Sequence, residues 1–177
     1  MEMNFCRRCG TKLHLVEGHV YTCENSHVIF ANASPASCLW VVNDRNEVLV
    51  ATRAREPGLG LLDAPGGFCD GAEIFEDGIF RELEEEVGLK PTDYTKPQYL
   101  LSALDTYHYK DETIDVLSGV YWARLIGNPT IDPQDDVAEA HFMSIESIDP
   151  KTIYFDAVRE GFIALKNKLA NNELESL

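Results

Sequence analysis

The chain has 177 residues, room for one well-filled core and a small appendage. Its 30 acids against 15 Lys and Arg leave a net charge of −15, which disfavours nucleic acid, a partner that needs cationic side chains on its phosphates. No apolar run approaches the ~20 residues of a membrane span, and MEMNFCRRCG lacks the apolar core of a signal peptide, so a cytoplasmic protein with no membrane partner is expected.

Residues 1–33 read as a first, charge-neutral segment. Cys6 and Cys9 form a CxxC pair, and Cys23 follows in what should be a second knuckle. A four-cysteine site would place Cys at 26, where Ser26 stands; His27 is next. Zinc accepts three thiolates and an imidazole, so Cys6, Cys9, Cys23 and His27 are the expected ligands of a structural ion. A metal-free segment, or three protein ligands, are the alternatives. A redox CxxC is disfavoured because no βαβ pattern follows.

The second unit, 34–177, opens with Ser34-Pro35 as a linker. Residues 38–42 and 48–51 read as strands joined by the turn Asn43-Asp44-Arg45-Asn46. Arg53 and Arg55 are one residue apart, so a strand would point both to one side, where they can bind phosphate oxygens. Of the two, Arg55 is favoured by position.

From Gly67 to Leu89 the chain holds eight acids and one arginine. Apolar periodicity predicts a helix over about 74–87 with Gly88 as its stop. At 100° per residue Glu82, Glu85 and Glu86 share one stripe, and Glu84 points to solvent. Ile79, Phe80, Leu83 and Val87 form a separate apolar face for a sheet. Arg81 borders the stripe, where it can pair with Glu73. A lone run of glutamates is usually a solvated face, but Glu82 and Glu86 repel at i,i+4. Hard oxygen ligands around a small divalent cation resolve that repulsion.

Strands follow over 99–104, 114–123 and 140–143. Val158, Phe162, Leu165 and Leu169 recur at helical spacing, so a C-terminal helix should dock on the sheet. Residues 171–177 are expected to fray. The pattern predicts an α/β fold with a mixed sheet between helices. Tyr107 is placed to stack on a base or to pair across strands. Phe68 is expected at the site wall, Cys69 beside it as a small apolar residue, and Cys38 in the core.

The run Gly67, Glu73, Arg81-Glu82-Leu83, Glu85-Glu86 and Gly88-Leu89, at its spacing, resembles the Nudix box, and every fixed position is met. Leu62 to Gly67 resembles the approach to that box, and 135–140 a later acidic loop. The resemblance implies an α/β/α sandwich and a diphosphohydrolase. It implies hydrolysis of the diphosphate linkage of a nucleoside diphosphate joined to another group, such as ADP-ribose or a dinucleotide coenzyme. It further implies Mg2+ or Mn2+ held by Glu82, Glu85 and Glu86 with the Gly67 carbonyl, and Glu73 and Arg81 bracing the loop. Glu86 and Glu139 are the candidate bases, with Glu139 also a candidate ligand. The N-terminal segment resembles the zinc ribbon of a subgroup that includes NADH diphosphatases, and implies a homodimer. Residues 90–122 lack that group's SQPWPFP-like signature. A catalytically silent nucleotide sensor on the same fold is the alternative; loss of box acids would signal it, and none is lost.

Overall fold

Residues 3–174 are described by a computed structural model. The cysteine-bearing segment folds into a three-stranded antiparallel sheet of β1 (Leu13–Glu17), β2 (Val20–Cys23) and β3 (Val28–Phe30). Leu13 faces Cys23, and Tyr21 faces Ile29, across the ladder. Period-two alternation therefore puts these four on one side. With Cys6 they form the ribbon's only interior among the described residues. The opposite side leaves Val16, Val28 and Phe30 exposed.

Ser34 and Pro35 are not a linker. They open β4 (Ser34–Val42), which runs parallel to a later strand from its first residue. The other strands are β5 (Glu47–Arg53), β6 (Leu62–Asp63), β7 (Gly66–Phe68), β8 (Gln98–Tyr109), β9 (Glu112–Arg124) and β10 (Val137–Ser144). The main path is β10-β5-β4-β9-β8, with β6 on β5 and β7 on β4. Only β4–β9 is parallel, so the sheet is mixed. The β8–β9 hairpin is longer than the apolar pattern suggests, because its far end, Tyr107 to Tyr109, is polar-aromatic rather than alternating.

Two helices cover the two faces. On one side α1 (Phe75–Val87) lays Ile79, Leu83 and Val87 against Leu39, Val41, Leu49 and Tyr121. On the other, α2 (Asp156–Ala170) lays Val158, Phe162 and Leu165 against Trp40, Val42, Val50 and Trp122. Coverage on both sides explains why Cys38 to Val42 read as one unbroken buried run. The result is the expected α/β/α sandwich. Helix α1 ends where the sequence places it. Gly88 adopts φ 72°, and its N–H donates to the Glu84 carbonyl at 3.2 Å.

The chain after α2 does not fray at once. The Glu173 N–H donates to the Lys168 carbonyl at 2.9 Å, and Leu174 is buried in the α2-side core. Residues 175–177 lie outside the described residues. Among those described, no helix is long and apolar enough to cross a membrane.

Candidate active site and zinc cluster

Helix α1 sorts its glutamates as the 100° repeat requires. Glu84 is exposed, Glu86 is buried at 7 % exposure, and Glu82 is half-buried. Glu85 is exposed but tethered. Arg81 is the hub. Its Nε and Nη2 donate to the two Glu73 oxygens at 2.9 and 3.1 Å. Nη2 also donates to the Phe68 carbonyl at 2.9 Å. Nη1 bridges Glu82 Oε1 at 2.8 Å and Glu85 Oε2 at 3.1 Å. One guanidinium thus ties the loop, the helix start and two comb acids together. Glu73 also accepts from the Asp70 N–H at 2.8 Å. These bonds hold the Glu73 carboxyl below its ordinary value, Arg81 first among the causes.

The sequence offers Glu82 and Glu86 no basic relief, and the structure supplies it for Glu82 through Arg81 Nη1. Glu86 receives none. Its Oε2 accepts from the Gly66 N–H at 2.9 Å. Burial pushes the Glu86 carboxyl up to about 10, and a hydrogen bond shared with Asp136 adds to the rise. Burial also raises Glu82, which the Arg81 bond opposes. Two carboxyls in contact and one more beside them form a site whose unmet charge is negative, the donor set a hard divalent cation takes. The Cβ that an alanine at 67 would carry overlaps the Glu82 carboxylate, with Cδ at 2.8 Å. Glycine therefore lets the β7 backbone lie against the comb. Gly67→Ala is expected to displace Glu82 and weaken Mn2+ binding by ten-fold or more, on the order of an outer-shell ligand defect; calorimetric titration with Mn2+ checks it.

Beside the comb opens a cavity of about 140 Å3. Gly66, Gly67, Phe68 and Asp136 wall it on the comb side; Asp105, Tyr107, Phe155 and Val158 wall it on the α2 side. Asp63 and Arg53 lie between. Tyr107 meets Phe68 edge-on at 5.4 Å and lies near-parallel to Phe155 at 6.0 Å. The Arg53 guanidinium sits 4.8 Å from the Phe155 ring centre, on its face.

The two arginines part company. Strand β5 ends at Arg53, and the Ala54 N–H turns to the Asp136 carbonyl at 2.7 Å. Arg53, half-buried, forms an ion pair with the buried Asp63 at 2.8 Å and lines the cavity. Burial pushes Asp63 up to about 6, although Arg53 opposes the rise. Arg55 is exposed and pairs with Asp135 at 3.1 Å. Arg53→Ala is expected to cost about 3 kcal/mol in urea unfolding, because it strands a buried carboxylate. Arg55→Ala should cost less than about 1 kcal/mol.

Glu139 faces Thr52 from β10, past a bulge between Val137 and Glu139, and is exposed. Asp136, three residues earlier, is the member of that acidic loop that reaches the comb and the cavity. Its signal in the sequence was its place in the Asp135-to-Ala140 run. Phe155, Asp63 and Asp105 carried no signal of their own, since three separate elements bring them to one wall. Cys69 is half-buried and raised by burial; Cys38 is buried in the core.

In the ribbon, the Cys6, Cys9 and Cys23 sulfurs and one His27 nitrogen all lie within 4.8 Å of one another. It is the one such gathering of metal-binding side chains among the described residues. Cys9 Sγ and Cys23 Sγ are 3.7 Å apart, and Cys6 Sγ is 3.6 Å from His27 Nδ1. Tetrahedral zinc with bonds of ~2.3 Å to sulfur and ~2.0 Å to nitrogen gives edges of about 3.8 and 3.5 Å. The residues fit. Hydrogen bonds, from Thr11 first and Asn25 next, lower the Cys9 thiol to about 5, toward the thiolate that a metal binds. Ser26 sits at φ 59°, and its N–H donates to the Cys23 carbonyl as Cys9 N–H does to Cys6 in the first knuckle.

The comb acids are not so gathered, and Arg81 Nη1 lies between two of them. Comparison with known proteins places this geometry. The NUDIX domain model matches residues 32–164. An ADP-ribose pyrophosphatase of Methanocaldococcus jannaschii is 27 % identical over 127 residues, 72 % of each chain. The human mitochondrial NAD(P)H pyrophosphatase NUDT13 is 35 % identical over 88 residues, 49 % of this chain but only 24 % of that protein. A NUDIX hydrolase of Nitrosomonas europaea has the same fold, with a TM-score of 0.68, 20 % identity and coverage of 97 % and 93 %. With a family match across about three quarters of its length and an unbroken box on α1, the chain belongs to the NUDIX family, as a Nudix diphosphohydrolase.

Proposed function

We propose that the chain is a Mg2+- or Mn2+-dependent hydrolase of a nucleoside diphosphate joined to a second group, ADP-ribose or a dinucleotide coenzyme being the candidates. The observation that carries this is the acid comb opening, across Gly66 and Gly67, onto a cavity large enough for a ring. Both curated relatives above bear the name of a pyrophosphatase of an ADP-containing compound, which supports the substrate class. Bound among the comb acids, the divalent ion neutralises the diphosphate and lowers the pKa of the attacking water.

The residues divide the remaining work. Glu82, Glu85 and Glu86 hold the ion, with the Gly67 carbonyl. Arg81 and Glu73 brace the turn that carries them. Glu86, with Asp136 beside it, is placed to accept a proton from the attacking water, and Glu139 is the other candidate base. Arg53 offers its remaining N–H groups to a phosphate oxygen at the cavity wall, and Tyr107 gives an apolar ring beside it. The ribbon is a structural zinc module, and its exposed apolar side, with Val28 and Phe30, suits a second copy of the chain in a homodimer. Hydrolysis assays with Mg2+ over ADP-ribose, NADH, nucleotide sugars, diadenosine polyphosphates and CDP-alcohols test the reading. Metal-dependent release of a nucleoside monophosphate from at least one is expected. No turnover on any of them would overturn it.

A further inference from the structure

The cavity contains a carboxylate that the hydrolytic chemistry leaves unused. Asp105 lies on β8, on the wall away from the comb, two residues before Tyr107 and therefore on the same face of the strand. Its Oδ1 accepts from the Thr106 N–H at 2.7 Å, and its Oδ2 from the Ala157 N–H at 3.1 Å. Both donors are backbone groups, and each oxygen keeps a further acceptor position. No cationic side chain bonds it among the described residues. Asp63, another cavity carboxylate outside the comb, differs: it is committed to Arg53 at 2.8 Å and to the Ala64 N–H at 2.9 Å.

The rest of that wall is aromatic and apolar. Tyr107 and Phe155 present rings, Phe68 faces Tyr107 from the comb side, and Val116 and Val158 also line the cavity. An apolar cavity of ~150 Å3 accommodates one benzene-sized ring, and this cavity of about 140 Å3 opens further to one side. A flat ring fits it, and a fixed acceptor-only carboxylate at its edge calls for a donor on that ring. We propose that Asp105 reads the nucleobase, by accepting a hydrogen bond from an exocyclic amine. Bases carrying an amino group at that edge are taken, and bases carrying a carbonyl there are rejected, because two acceptors would meet in a half-buried site. The proposal rests on the hydrolase reading of the comb for its substrate, a nucleotide, but its test does not depend on turnover.

Asp105 also has a structural duty. The N-cap residue of α2 is Phe155, whose side chain makes no capping bond, so Asp105 caps the helix from a neighbouring strand. Asp105→Asn separates the two roles. An amide oxygen still accepts from Ala157, giving up only the exposed bond from the adjacent Thr106 N–H, while the amide N–H2 now donates to a carbonyl. The experiment is calorimetric titration of AMP and IMP, which exchange the exocyclic amino group for an oxo group with a proton moved onto the neighbouring ring nitrogen, into wild type and the variant, with thermal unfolding as the control for the fold. Wild type is expected to bind AMP about 10- to 100-fold more tightly than IMP, the range for one hydrogen bond to a charged group. The variant should lose or invert that preference while its melting temperature holds. A wild type that binds both alike, or fails to bind AMP at millimolar concentration, overturns the proposal. So does a variant that keeps the wild-type preference. Hydrolysis of the diphosphate panel is assayed alongside: no turnover on any member with the AMP preference intact removes the hydrolase reading and leaves the base reading standing.

Discussion

Glu86→Gln should stabilise the metal-free protein above pH 7 while removing its metal-dependent turnover. Both effects have one cause. Glu86 is buried beside Asp136, and without a cation its ionised form is penalised, so its folded-state pKa rises to about 10. In the unfolded chain a glutamate titrates near ~4.3. Between these values the folded state holds a proton that the unfolded state has lost. Stability from this group is therefore fully present below the unfolded value and is lost as pH rises through the folded one. Asp63 acts in the same direction but only up to about 6, and it and Cys9 are common to wild type and variant, so the difference between the two proteins isolates Glu86.

Glutamine keeps an oxygen for the Gly66 N–H and has no proton to lose. The variant's metal-free melting temperature should exceed that of wild type at pH 8, by several degrees, and the gap should narrow toward pH 5. Addition of Mn2+ should reverse the order, because a ligand that binds only the folded state stabilises it. Wild type then gains and the variant does not. Turnover of a diphosphate substrate should fall by about a hundredfold or more, since loss of even an outer-shell partner costs ~10- to 100-fold. A variant that is no more stable than wild type at pH 8 without metal would show that Glu86 is not the strained member of the comb.

The comb was legible because its order is local. Helical rotation sorts Glu84 from Glu82, Glu85 and Glu86 without reference to the rest of the chain, and Gly88 marks the stop. The Arg81–Glu73 pair was legible for the same reason, lying within one box. What escaped the sequence was set by tertiary placement. Arg53 and Arg55 look equivalent on an extended strand, but the chain turns at Ala54 to meet Asp136, and Arg55 leaves the cavity. Glu139 and Asp136 lie in one acidic run; past a bulge in β10 Glu139 is exposed opposite Thr52, while Asp136 lines the cavity. Asp63, Asp105 and Phe155 come from three elements and meet only when α2 docks on β8. Pro35 reads as a linker residue, yet the strand that begins with Ser34 takes it in at its end.

Zinc should prove to be the core of the ribbon rather than an ornament on it. Of the four buried residues there, two are the ligands Cys6 and Cys23; only Leu13 and Ile29 are purely apolar. Burying two aliphatic side chains contributes roughly 3–6 kcal/mol. Ordering the backbone of a segment this long costs about 1–2 kcal/mol per residue, far more than that. Structural zinc contributes about 10–16 kcal/mol in small finger peptides, more than those two side chains supply. The sandwich has its own two cores and shares no strand pairing with the ribbon. Stripping zinc should therefore unfold the ribbon and leave the sandwich melting as before. His27→Ala should act likewise, because Ser26, held at φ 59° in the turn before it, is not among the side chains gathered at the cluster. Elemental analysis should find about one zinc per chain in wild type and little in the variant, and amide exchange should show protection lost in β1 to β3 alone. A full zinc complement after His27→Ala would refute its role as ligand, and a ribbon still protected without metal would refute the dependence of its fold on the ion.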